Sequence, residues 1–225
     1  MALRRSTVLY GLAAAVVAVA VAVTTVVLVS RGGASSGPTV TPTRSALFVG
    51  VPQRGLELGD SSAPALYEYA DLMCPYCAEF SRRVLPTVVR DYVRTGKVKL
   101  VFHGLAFVGP DSQKALRAVD SAASQNRLWD VLDALYQRQG PETQSWVTDS
   151  LLDEVGSGIS GLDVKRWLDG MGSADVRQRM QTAANAANQA GIRGTPTFVL
   201  GGTQLNASPL DPADFSRALN AALQG

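Results

Sequence analysis

The chain holds only two cysteines in 225 residues, Cys74 and Cys77, and they frame the dipeptide Pro75-Tyr76. Positions i and i+3 lie on one face of a helical turn, with α-carbons about 5–5.5 Å apart. A disulfide needs roughly 4.4–6.8 Å, so this pair can close or open with little movement of the backbone. A bridge around so short a loop constrains the unfolded chain weakly, which argues against a staple. A structural zinc site needs about four Cys or His ligands, more than two cysteines and one histidine supply. The spacing therefore predicts a redox pair, with no metal and no other cofactor. Pro75 suits the first position of a helix, where its missing N–H is not needed. Cys74 then stands at the helix N-terminus, where free N–H groups and the positive dipole end favour a thiolate. Cys77, one turn further in, is expected to be buried and less ionised. Cys74 becomes the attacking or attacked sulfur, and Cys77 resolves the mixed disulfide.

Glu68 precedes Cys74 by six residues, in the apolar run Ala65–Ala70 (ALYEYA). A sheet covered on both faces would bury its carboxyl and raise its pKa toward neutrality. That suits a proton acceptor for Cys77, and the alternative is a strand-edge Glu reaching solvent. Asp71 reads as a loop or capping residue before the helix. His103, the sole histidine, has no acid or nucleophile at a telling spacing and is expected to be packed or on the surface. Pro86 falls inside the predicted active-site helix and should kink it. Thr195-Pro196 opens a later strand, where an ordinary trans proline is the plain expectation.

These residues need elements to hold them. Strands are predicted at Ala65–Ala70, Val98–His103 and Thr197–Leu200, with helices over Pro75–Arg94 and Asp211–Leu223. Asp111–Ala190 is a long helical stretch broken near Asn126, Gly140-Pro141, Gly156–Gly161 and Gly170–Gly172. Its aromatics Trp129, Tyr136, Trp146 and Trp167 have the spacing of core residues. The order is that of an α/β domain whose 80-odd helical residues are too many for a simple crossover, hence an inserted subdomain.

All acidic residues lie beyond residue 30, and Arg4 and Arg5 account for the net charge of +2. The rest of the chain is neutral overall, which excludes a nucleic-acid surface. At 46% hydrophobic and 18% charged the composition is that of a folded chain. Val8–Val29 is almost wholly Val, Ala and Leu, and about 33 Å of helix would span a bilayer core. Arg4 and Arg5 favour a cytoplasmic N-terminus. A cleaved signal peptide, the competing reading, would have a shorter apolar region. Residues 31–45 are mostly Gly, Ser, Thr and Pro and read as a flexible tether. The expected organisation is an anchor over 1–30, a linker over 31–45 and one domain over 46–224 with an insertion near 111–190.

The EYADLMCPYCAEF and GIRGTPTFVLGG stretches, with the lead-in Leu58–Pro64, resemble the DsbA-like thioredoxin-fold thiol–disulfide oxidoreductases over about 46–224. The resemblance implies a thioredoxin-like fold with a helical insertion, here preceded by a transmembrane helix. It implies a cis Thr195–Pro196 bond against the cysteines, with the Thr195 backbone free to pair with an extended substrate. It implies Glu68 as the buried acid of the exchange. Pro75 and Tyr76 would tune the pair, and Tyr76 departs from the histidine of the strongly oxidising members, which points to a weaker oxidant. The implied partners are reduced or unfolded exported proteins and a quinone-linked membrane reoxidase of the DsbB or VKOR type. The expected enzyme is a monomeric disulfide donor at the cell membrane with its catalytic domain outside the cytoplasm. A reductase or isomerase of the same fold, and a tethered non-catalytic binding module, remain alternatives.

Overall fold

A central strand organises the molecule. In β3 (Ala65–Ala70) alternate residues face opposite sides of the sheet. Leu66, Glu68 and Ala70 are buried, Leu66 and Ala70 within the main core, while Tyr67 and Tyr69 join a smaller cluster with Leu105, Ala187 and Val199. Apolar residues on both faces require cover on both, and helices supply it. The computed structural model describes residues 45–224. The membrane segment and all but the last residue of the linker expected from sequence lie outside them. Among the described residues no helix is long and apolar enough to cross a membrane.

Among the described residues six strands run in the order β1-β2-β4-β3-β5-β6. Strands β1 (Gln53–Arg54) and β2 (Glu57–Leu58) form a hairpin with Gly55 at φ 57° in its turn. Strand β4 (Lys99–Gly104) lies parallel to β3, and β5 (Thr197–Leu200) lies antiparallel on its other side. The final strand β6 (Thr203–Gln204) pairs with β5 through the Gly201-Gly202 turn, both glycines having positive φ. Such a two-residue turn matches the right-handed twist of its strands. The C-terminal ends of β3 and β4 and the N-terminal end of β5 therefore share one edge of the sheet.

The predicted helix over Pro75–Arg94 is not one helix. Helix α1 (Pro75–Arg83) stops, α2 (Leu85–Val88) carries Pro86 in its first turn, and a π-helical turn spans Val89–Val93. Pro86 has no N–H to offer the carbonyl of Arg82, which breaks the ladder there. After β4 come α3 (Ser112–Ala122), α4 (Leu128–Gln137), α5 (Asp149–Ser157), α6 (Val164–Gly170) and α7 (Ala174–Gln189). Thr148, Asp163 and Ser173 cap α5, α6 and α7 by accepting backbone N–H bonds. Trp129, Tyr136 and Trp167 are fully buried and Trp146 partly so. Helix α8 (Pro212–Ala222), capped by Asp211, brings Phe215 against Phe80 and Phe198, with ring centroids 5.3 and 4.8 Å apart. Phe80 and Phe198 lie 4.4 Å apart, so this aromatic cluster fixes α1 on the sheet.

Candidate active site

Strand β3 ends at the loop Asp71–Met73, and Cys74 follows as the N-cap of α1 with extended backbone. Its carbonyl accepts the N–H groups of Cys77 and Ala78, the first bonds of the helix. Both cysteines are free thiols. Cys74 is 5% exposed, Cys77 is fully buried, and the Tyr76 side chain between them stands 59% exposed. The Thr195–Pro196 peptide is cis, and the Cys74 Sγ lies 3.3 Å from the Thr195 carbonyl oxygen. Pro75, Tyr76, Cys74, Cys77, Thr195 and Pro196 thus converge at one sheet edge, although 121 residues separate Cys74 from Thr195.

The two sulfurs differ as their places in the helix require. The Cys74 pKa falls to about 6, chiefly because the Cys77 thiol hydrogen-bonds to its sulfur. Burial opposes the drop, while Thr195 and the N–H groups of Cys77 and Tyr76 add to it. The helix terminus expected from sequence to lower this pKa contributes, but the partner thiol is the larger cause. Burial pushes the Cys77 thiol well above its usual range, and the neighbouring Cys74 sulfur adds to this.

Glu68 lies on the central strand, flanked by Phe102 of β4 and Phe198 of β5, so it is no strand-edge residue. It is 1% exposed, and among the described residues its Oε2 has no hydrogen-bond partner. Burial raises its pKa to about 8. The Tyr136 phenol, fully buried, has its pKa pushed well above the usual value by burial and by the nearby Cys77 and Glu68.

Three residues that the sequence did not single out for the site hold its loop. The Asp71 carboxylate is fully buried and accepts four bonds. Oδ1 takes the Met73 N–H (2.8 Å) and the Ser112 hydroxyl (2.7 Å). Oδ2 takes the N–H groups of Phe107 (2.8 Å) and Val108 (3.0 Å). The Met73 bond is the local capping contact that sequence foresees; the others reach across the sheet edge. The Gln139 amide donates to the carbonyls of Leu72 (2.7 Å) and Cys74 (3.0 Å). The Tyr136 hydroxyl donates to the Asp71 carbonyl at 3.4 Å, and Arg82 of α1 donates to the Tyr136 carbonyl at 2.7 Å. The helical stretch after β4 thus grips the cysteine loop. His103, by contrast, is packed between Tyr67 and Tyr69, both ring centroids 5.0 Å away, and burial lowers its pKa.

Residues 53–221 match a family model described as Thioredoxin. The chain belongs to the thioredoxin family. Among curated relatives of this family member, the "Probable disulfide bond formation protein D" of Bacillus cereus is 29% identical over 153 residues, 66% of this chain and 71% of that protein. The oxidised crystal structure of BdbD from Bacillus subtilis aligns with a TM-score of 0.66 at 22% identity, covering 84% of this chain and all of the other. MdbA, a thiol-disulfide oxidoreductase from Corynebacterium diphtheriae, aligns with a TM-score of 0.64 at 15% identity over 81% of this chain and all of its own. At these identities the two structures establish the thioredoxin-like fold and its added helices.

Proposed function

We propose that the chain is a protein thiol–disulfide oxidoreductase that donates disulfides to exported proteins through Cys74 and Cys77. The carrying observation is the asymmetry of the pair, Cys74 at the helix start against the Thr195 carbonyl and Cys77 fully buried one turn in, which lowers the first pKa and raises the second. The kinship with disulfide bond formation proteins supports the same reading.

In the oxidised enzyme a client thiolate attacks the Cys74 Sγ, and the Cys74–Cys77 bond breaks. Cys77 leaves as a thiolate and takes a proton, for which neutral Glu68 is the buried source. A second client thiolate then attacks the client sulfur of the mixed disulfide and releases Cys74 as a thiolate. The client loses two electrons and the pair gains them. A low Cys74 pKa stabilises the reduced form, which makes the disulfide the better oxidant. Thr195 offers its backbone to an extended client beside Cys74, a form of strand addition. Pro75 starts the helix, and Tyr76 brings no positive charge to the thiolate. Return to the disulfide passes two electrons to a quinone-linked membrane reoxidase. Residues 1–30 would anchor the domain on the extracytoplasmic face, supported by the length and composition of the apolar run.

Two measurements test this. Equilibration with glutathione should give a reduction potential between about −120 mV, a strong oxidant, and about −270 mV, a reductant. A value at or below the lower figure would turn the assignment to a reductase. Cys77→Ala should accumulate mixed disulfides through Cys74, and Cys74→Ser should form none; an inert pair in both would leave only a binding module.

A further inference from the structure

A groove of about 550 Å³ opens at the sheet edge that carries the cysteines, between the end of β4, α3 and α7. Phe107 and Leu116 line one side, Met180 and Ile192 the other. Phe107 is 60% exposed, a large apolar side chain left facing solvent. Two of the residues lining the groove are tied to the redox site through the chain. On one side, Asp71 binds the Phe107 N–H and precedes Cys74 by three residues. On the other, Ile192 precedes Thr195 by three residues, and the Thr195 carbonyl touches Cys74. Its charge is one-sided: Arg117 and Arg177 line it, and no described acidic residue does. Among the described residues the Arg117 guanidinium has no hydrogen bond or ion pair, and the Arg177 guanidinium donates to the Gly172 carbonyl.

We infer that this groove selects clients by the chain flanking their cysteine, taking a segment that carries an apolar side chain and carboxylates. The inference rests on the proposed exchange reaction. A client strand lying along Thr195 with its cysteine at Cys74 can continue over Ile192. Its apolar side chain then meets Phe107 and Met180, and its carboxylates meet the two guanidinium groups. The occupant is the exported client itself.

The test uses the full chain and two short peptides with serine in place of cysteine, so that no exchange can occur. One carries leucine with two glutamates beside the serine, the other leucine with two lysines. The acidic peptide should bind about fivefold more tightly, the scale of two exposed ion pairs, and the ratio should shrink in high salt. Joint Arg117→Glu and Arg177→Glu substitution should invert the ratio, while Arg117→Lys with Arg177→Lys should keep it. A ratio within one variant is unaffected by a general loss of folded protein. Equal binding by the native chain, or a preference that survives charge reversal, would overturn the inference. So would self-association through these arginines without peptide preference, since a second copy would then be the occupant. A chain unable to oxidise dithiothreitol would instead sink the exchange reaction, and the serine peptides would still decide the groove.

Discussion

The proposed chemistry divides between two sulfurs and one carboxyl, and each has a pH signature. With its pKa lowered to about 6, Cys74 is largely thiolate at pH 7, whereas an ordinary thiol is not. Its alkylation rate in the reduced protein should rise with pH, pass its midpoint near pH 6 and level off by about pH 7. Replacing Cys77 by Ala removes the thiol that donates to Cys74, so the midpoint should move upward. An unchanged midpoint in Cys77→Ala would return the effect to the helix terminus alone. Tyr76 cannot add a positive charge here, consistent with a thiolate stabilised by hydrogen bonds and not by an ion.

At the scale of elements, the active-site loop is held by a buried carboxylate and by the helices that follow β4. Asp71 satisfies three backbone N–H groups and one hydroxyl, drawn from the cysteine loop, the β4–α3 loop and the start of α3. Truncation to Ala strands those donors where little water reaches, at a cost of about 3 kcal/mol or more in denaturant unfolding. Amide exchange at Phe107 and Val108 should accelerate as well. Asp71→Asn keeps one acceptor oxygen but turns an NH2 group against the remaining donors, so it should recover only part of that loss. A loss under about 1 kcal/mol in Asp71→Ala would mean that water replaces the carboxylate. Gly109 in the same loop packs its α-carbon against the Glu142 carbonyl and Met73, leaving no room for a methyl group. Hydrogen bonds and close backbone packing together fix where Phe107 stands.

Across the whole molecule, the buried acid ties stability to pH, and on the proposed mechanism it ties catalysis to pH as well. Glu68 has a folded-state pKa of about 8, above the usual 4.5, so the native state holds its proton where the unfolded chain has released it. The stabilising effect of that proton is complete below about pH 4.5 and is lost as pH rises through 8. Relative to Glu68→Gln, the native protein should lose a few kcal/mol of unfolding free energy between these limits, the slope vanishing above pH 8. Parallel pH-dependent stabilities of the two proteins would show that Glu68 titrates normally. The same substitution should slow the step in which Cys77 gains or loses its proton, without changing the alkylation midpoint of Cys74 beyond a few tenths.

Much of this was written in local sequence. The adjacency of Cys74 and Cys77, the helix start at Pro75, the disturbance at Pro86, the buried strand around Glu68 and the breaks at Asn126 and the glycines depend on near neighbours. Two-residue strands such as β1, β2 and β6 show no alternation long enough to read. The grip of Asp71 on Phe107, of Gln139 on Cys74 and of Tyr136 on Asp71 joins residues 36 to 65 positions apart. Side-chain type sets what Asp71 or Gln139 can bond to, and periodicity sets which face a helix buries. Only the packing of the helices against the sheet edge decided which donors met which acceptors, and α3 and α7 left a groove lined by two arginines at the end of β4. Local sterics and capping act over a few residues and survive in a linear reading. Long-range hydrogen bonds and surface charge patterns exist only once the chain has closed on itself.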